Sequence, residues 1–266
     1  MSAATAFAEG AVIARRNLTM IRRVPELLVN AAVAPAMMTL LFGFVIGGAI
    51  ALPGVEYREF LMNGIFVQAV LFSAVNTGTV IASDIANGIV DRLRSMPISR
   101  SAVLIGRTTS DVVNNAVVIS VTAVLGLVIG WRVRGSALDA VLAVVVLLAF
   151  AYALSWLMAV VGLAVPAPEV VSSTGFTIAI PLGFLSNAYV PIDTLPAVLR
   201  PVAEWNPVSA VVSALRELFG NVPAGLPAST AWPQQHPVVA SLLWSAVLLA
   251  IFVPLAVRKF WKAVSR

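Results

Sequence analysis

Six stretches of mainly apolar residues, roughly 28–51, 60–82, 106–130, 137–164, 171–189 and 238–258, fill most of this 266-residue chain. Each is long enough to approach or cross a hydrocarbon layer about 30 Å thick as a helix. Backbone N–H and C=O groups in hydrocarbon find no water, so each span must pair its own amides and is expected to be helical. Charged residues make up 11% of the chain, where a soluble domain carries about 25%. The mean hydropathy is +0.97. Such a chain cannot cover a water-facing surface. The expected fold class is all-α integral membrane, with six transmembrane helices in a single transmembrane domain over residues 1–266. Pro35, Pro181 and Pro254 fall inside spans, where packing against neighbouring helices tolerates the lost amide.

Composition excludes several chemistries. There is no cysteine, so neither a disulfide framework, a thiol nucleophile nor cysteine-bound zinc is possible. A single histidine, His236, speaks against a histidine-rich metal site, and no metal is expected. The sequence has no Gly-x-x-x-x-Gly-Lys-Ser/Thr loop to cradle a nucleotide. No paired aspartates, His-Glu-x-x-His or serine dyad falls at helical spacing, so no catalytic residue is expected. An ion-coupled transporter would need an intramembrane carboxylate or inverted repeats, and neither is apparent mid-span. The net charge of +5 flanks spans and forms no single stripe, which argues against nucleic acid as a partner. The apolar run Leu27–Leu52 is longer than the 7–15 residues usual for a signal-peptide core. It reads as a retained first span.

Cations set the orientation. Arg15, Arg16, Arg22 and Arg23 precede the first span. Arg92, Arg94, Arg100 and Arg107 lie between the second and third, and Arg258, Lys259, Lys262 and Arg266 follow the last. The opposite side holds only Arg58, Arg132, Arg134, Arg200 and Arg216. The richer side is expected to be cytoplasmic, with both termini inside. Arg132 and Arg134 run against the rule. Trp131 and Trp232 fall where an outer aromatic belt would lie, and Trp261 where an inner one would. Gly43/Gly47 and Gly126/Gly130 are spaced for close helix approach and read as packing motifs.

Residues 1–26 form an arm in which Phe7, Ala11, Ala14, Leu18 and Ile21 share one helical face. With arginines off that face and Pro25 behind it, the arm fits a helix lying in the inner leaflet's interface. The plainer reading is a cytoplasmic helix packed on a neighbour. Between the second and third spans, residues 84–107 read DIANGIVDRLRSMPISRSAVLIGR. Ile85, Ile89, Leu93 and Met96 make a short apolar ridge, Pro97 stops the helix, and Ser99 or Ser101 can cap the next one. From the residues alone, this helix either docks on a partner protein or lies on the membrane. Polar residues within spans mark a candidate pathway: Gln68, Asn76, Thr79, Thr177 and Asn187. Gln68 and Asn76 lead that set, because a buried amide needs partners whereas Ser and Thr often bond their own helix.

The run Arg94-Ser95-Met96-Pro97-Ile98-Ser99-Arg100, with Leu104-Ile105-Gly106-Arg107 after it, resembles the type-2 ABC exporter membrane family. There a helix is followed by a Pro-Ile-Ser/Thr-Arg turn and a Leu-Gly-Lys/Arg. A second resemblance follows the fifth span. Tyr189-Val190-Pro191, Leu195-Pro196, Asn206-Pro207 and Ala214-Leu215-Arg216 are similar to the daunorubicin-resistance-type exporters. The resemblance implies that residues 84–100 are a cytoplasmic coupling segment gripping an ATPase. Its implied contacts are Asp84, Asn87, Ile89, Asp91, Arg92, Leu93, Met96, Pro97, Ile98, Ser99 and Arg100. Asp84, Asn87 and Gly88 stand where many members carry a Glu-Arg-Glu-x-Gly start, a departure that leaves fewer acids here.

Residues 187–237 hold eight of the 16 prolines, which rules out one long helix. Residues 208–219 still read as helical. An exposed loop is the simple reading; the family resemblance implies an external re-entrant segment. The implied function is the permease subunit of an ATP-driven exporter of hydrophobic or amphipathic cargo (a drug, an antibiotic or a lipid). The alternatives are a permease for polysaccharide or another cell-envelope glycan, or an ion-coupled secondary transporter. The implied partners are two copies of an ABC ATPase carrying ATP and Mg, a second permease copy or paralogue, and membrane lipid. No cofactor is expected on this chain.

Overall fold

A computed structural model describes residues 26–47, 52–88, 100–165, 167–225 and 229–264. Every regular element among them is helical. The arm 1–25 and most of the coupling segment, 89–99, lie outside the described residues.

The first span is α1 (Glu26–Leu40) running into a π-helical stretch, Leu41–Ile46. The apolar run anticipates one span to residue 51; the structure shows a change of helical pitch at Leu41, and residues 48–51 lie outside the described residues. Pro35 sits within α1, and Thr39 Oγ1 donates back to its carbonyl at 2.8 Å. The second span, α2 (Tyr57–Ala86), has 30 residues and measures about 45 Å at 1.5 Å per residue. α3 (Arg100–Val128) and α4 (Ala137–Ala164) follow. α4 starts where Ser136 and Asp139 form a reciprocal capping box. Among the described residues, four helices are long and apolar enough to cross a membrane: Tyr57–Ala86, the Ser110–Val128 part of α3, Ala137–Ala164, and the Pro237–Phe260 part of α9 (Pro237–Val264).

The fifth span is shorter than sequence predicts. α5 (Pro168–Phe184) has 17 residues, and the chain turns over 185–190, where the apolar pattern continues. The cause is distant in sequence. Asn206 Nδ2 donates to the carbonyls of Leu182 at 2.8 Å and Leu185 at 2.9 Å, taking groups that a longer helix would have bonded. Between α5 and α9 lie a 3₁₀ turn (Ile192–Thr194) and the helices α6 (Arg200–Trp205), α7 (Pro207–Phe219) and α8 (Trp232–Gln235). The prolines mark their starts, as expected. α7 opens with Pro207 behind an Asn206 cap and closes at Gly220, whose φ of +71° suits glycine.

α2 is the central post. α4, α5, α3, α1 and α7 all pack on it. Phe60, Leu61, Met62, Ile65, Phe66, Val67 and Val70 are buried along it. α2 and α4 meet through glycines: a Cβ on Gly78 would lie 2.7 Å from the Met158 carbonyl, and one on Gly162 would strike the Gly78 carbonyl. Of the sequence-level glycine pairs, Gly47 abuts Tyr57 and Gly126 abuts Met62. Gly130 instead has a φ of +105° with nothing near it and makes a turn. The outer faces of α1, α3, α5 and α9 expose Val33, Met37, Val124, Ile180, Val247 and Ile251. These apolar stripes suit lipid or another transmembrane chain.

α7 does not stand free. Val208, Val211, Val212, Leu215, Leu218 and Phe219 are all buried against α9, α4 and α2. Trp131, expected in an interface belt, is only 3% exposed and belongs to the core, whereas Trp232 remains exposed.

Candidate functional site

A groove of about 410 Å³ opens between α1, α2 and α3. Ala34, Pro35 and Met38 form one wall; Ile65, Gln68, Ala69, Phe72, Ser73 and Asn76 form the second; Asn114 and Val118 complete it. Most of the lining is apolar, with four amide or hydroxyl groups set into it. Gln68 and Asn76 both line it. Asn114 Nδ2 reaches Ser73 Oγ at 3.5 Å. Gln68 is 3% exposed, and neither its amide oxygen nor its amide nitrogen has a partner among the described residues. Leaving one such group unpaired costs about 1–3 kcal/mol. The Gln68 amide is pressed against Gly183 of α5, where a Cβ would collide with it.

The other pathway candidates are elsewhere. Thr79 Oγ1 donates to Val75 O at 3.1 Å and Thr177 Oγ1 to Ser173 O at 2.8 Å. Both therefore bond their own helix, and neither lines the groove. Asn187 lies beyond the end of α5, in a separate cavity. Of the coupling residues, Asp84 lies in the last turns of α2. Asn87 caps it, its Nδ2 donating to Ser83 Oγ at 3.2 Å and its N–H to Ser83 O at 2.9 Å. Arg100 is the first residue of α3. Ile89, Asp91, Arg92, Leu93, Met96, Pro97, Ile98 and Ser99 lie outside the described residues.

A polar cluster closes the end of the bundle where α2 begins. Glu59, only 4% exposed, accepts two bonds from Arg134, Nε at 2.9 Å and Nη2 at 2.8 Å. That bidentate bond, with the carboxylate's charge, raises the Arg134 pKa further. The Arg134 and Gly135 amides both donate to Phe219 O, tying the α3–α4 loop to the end of α7. Asn221 Oδ1 accepts from Trp131 Nε1 at 2.9 Å and Asn63 Nδ2 at 3.4 Å, and its Nδ2 donates to Arg132 O at 3.1 Å. Arg216 is 5% exposed. Its Nη2 donates to Asn187 O at 2.7 Å and Ala188 O at 3.3 Å, and its carbon sits 3.4 Å from the centre of the Phe60 ring. Burial lowers its pKa to about 9, with Tyr57 acting the other way. It remains a cation at neutral pH, compensated by carbonyl dipoles and a ring face.

Sequence reasoning passed over Glu59, Arg134, Asn221 and Arg216 as a unit. One signal was present: Arg132 and Arg134 breached the charge rule. Arg134 is held by a carboxylate, and Arg132 Nη1 donates to the carbonyls of Leu127 and Trp131. Asp111, 6% exposed within α3, is a further buried ionisable group that the span reading did not single out.

A family model for ABC-2 type transporters matches residues 9–219. The chain belongs to the ABC-2 type transporter family. Among relatives of this permease, the daunorubicin resistance ABC transporter permease protein of Streptomyces coeruleorubidus is 35% identical over 245 residues. That match covers 92% of this chain and 83% of the relative. The doxorubicin resistance ABC transporter permease protein of Mycobacterium tuberculosis (strain CDC 1551) is 27% identical over 206 residues, covering 77% and 71%. The permease is thus a multi-pass membrane subunit of an ABC exporter and not an enzyme. Membership of the family implies a separate ABC ATPase and a dimeric arrangement.

Proposed function

We propose that this permease moves a hydrophobic or amphipathic drug-like molecule out across the cytoplasmic membrane, with the α1–α2–α3 groove as part of its path. The carrying observation is the groove's wall: mainly apolar, with the amides of Asn76 and Asn114 and the Ser73 hydroxyl set into it. Such a wall offers bulk apolar contact with a few orienting polar groups, the combination that holds drug-sized ligands. The names of the two relatives support the same cargo class. A highly charged cargo would find no fixed counter-charge along the groove.

In this reading six spans cross the bilayer, α1 with its π-helical extension and α5 supplying the first and fifth. Both termini are cytoplasmic and α7 is a re-entrant cap on the outer side. Two ATPase copies, carrying ATP and Mg, grip residues 84–100 of two permease chains. Closure of the ATPase dimer pushes that segment, and α2 and α3, which flank it, carry the push to the groove. The arm 1–26 rests in the inner leaflet.

Two variants test this in cells holding the permease and its ATPase. Asn76→Leu is expected to raise the intracellular accumulation of an anthracycline while leaving permease abundance and ATPase pull-down intact. Leu93→Asp with Met96→Asp is expected to leave the permease in the membrane and abolish ATPase pull-down. Unchanged accumulation in the first overturns the pathway; surviving pull-down in the second overturns the coupling segment.

A further inference from the structure

The groove between α1, α2 and α3 holds polar groups of two kinds. The Gln68 amide is buried against Gly183, out of a ligand's reach. Ser73, Asn76 and Asn114 line the groove where it can be entered: both asparagines are exposed and the serine is half-buried. Asn76 lies within α2 and Asn114 within the Ser110–Val128 span, a setting in which lipid offers an amide no hydrogen bond. Yet among the described residues nothing bonds the Asn76 amide. Asn114 has only Ser73 Oγ, at 3.5 Å, beyond the usual range of an N–H···O bond.

Ser73 stands out further. Other span hydroxyls return their proton to their own helix: Thr79 to Val75 O, Ser120 to Ala116 O, Thr122 to Val118 O and Ser245 to Ser241 O. Ser73 Oγ donates to no carbonyl among the described residues. Ser73 and Asn76 are three apart and so share a face of α2, with Asn114 of α3 beside them. One strip therefore offers hydroxyl and amide donors next to amide acceptors, while Met38, Phe72 and Val118 keep the surrounding wall apolar. No lining residue is charged, and Asp111, three residues before Asn114, is 6% exposed and does not line the groove. A charge entering this space would lose water and gain no counter-ion. A wholly apolar body would leave the strip unpaired.

We propose that Ser73, Asn76 and Asn114 select an uncharged oxygen-bearing edge, a hydroxyl or carbonyl on an apolar ring system, and so set which part of the cargo the groove takes. This rests on the groove being part of the cargo's path. The full chain in phosphatidylcholine nanodiscs is titrated by equilibrium dialysis, against empty nanodiscs, with pyrene, 1-pyrenemethanol and 1-pyrenesulfonate. The alcohol is expected to bind saturably and about fivefold more tightly than pyrene, the gain of one hydrogen bond, and the sulfonate more weakly than either. Asn76→Leu with Asn114→Leu is expected to erase the alcohol's advantage while pyrene binds at least as tightly as before. Ser120→Ala, whose hydroxyl bonds its own helix outside the groove, is expected to leave that advantage intact. Asn76→Leu alone gives the same test should the double variant lose its fold. Saturable binding of pyrene and the alcohol with equal affinity overturns the proposal and leaves the groove standing, as does an advantage that survives in the folded leucine variant. No saturable binding of any probe overturns the groove together with it.

Discussion

At the scale of single residues, this protein is held by polar groups more than its composition suggests. Lipid tails are as apolar as leucine, so burying another leucine between helices gains little, and packing and hydrogen bonds must supply specificity. Asn221 illustrates this: one buried side chain serves an indole, a second asparagine and a backbone carbonyl. Asn221→Leu is expected to cost about 1–3 kcal/mol, since Trp131 Nε1 would be left buried and unpaired. Thermal unfolding of the purified variant in detergent checks this, a Tm equal to wild type being the contrary result. Glu59 and Arg134 make a different prediction. The carboxylate is buried while the arginine is more than half exposed. Removing the arginine alone therefore strands a buried charge, whereas removing both does not. Arg134→Met is expected to lower the Tm further than Arg134→Met combined with Glu59→Leu, and the reverse order would refute the pairing. None of these partners is legible from spacing, because they come from three separate segments of chain. Only the arginines on the wrong side of the charge rule gave notice of them.

At the scale of elements, the sequence was a good guide where local chemistry ends a helix and a poor one where a distant residue does. The fourth span was expected over 137–164 and is found as Ala137–Ala164, because Ser136 and Asp139 write its start locally. The fifth was expected to reach residue 189 and stops at Phe184, because the group that stops it is Asn206. The first was expected as one helix and changes pitch at Leu41, a shift that hydropathy alone cannot register. The α2–α4 seam was equally hidden, since Gly78 and Gly162 lie in different spans and form no motif. Gly162→Leu is expected to push these helices apart and leave no monodisperse protein by size-exclusion chromatography. Gly130→Ala, in open space but at positive φ, is expected to cost only about 1 kcal/mol. If both variants elute as wild type, the seam is not a tight contact.

At the scale of the whole molecule, membrane residence and the helical class were legible because hydropathy is a property of long averages. The groove was legible in part. Gln68 and Asn76 were picked out as amides in a span and line it, while Thr79 and Thr177 bond carbonyls of their own helices. The chain's orientation is a further expectation of charge counting. The absence of native cysteine makes it testable: Ser95→Cys would carry the sole thiol, expected to react with a membrane-impermeant maleimide only after cells are opened. Labelling in intact cells would invert the topology.

Asn206 joins two things usually separate. Its oxygen starts α7 and its nitrogen finishes α5, so one amide is the shared knuckle of both helices. The end of α5 and the start of α7 are therefore fixed to each other through a single side chain.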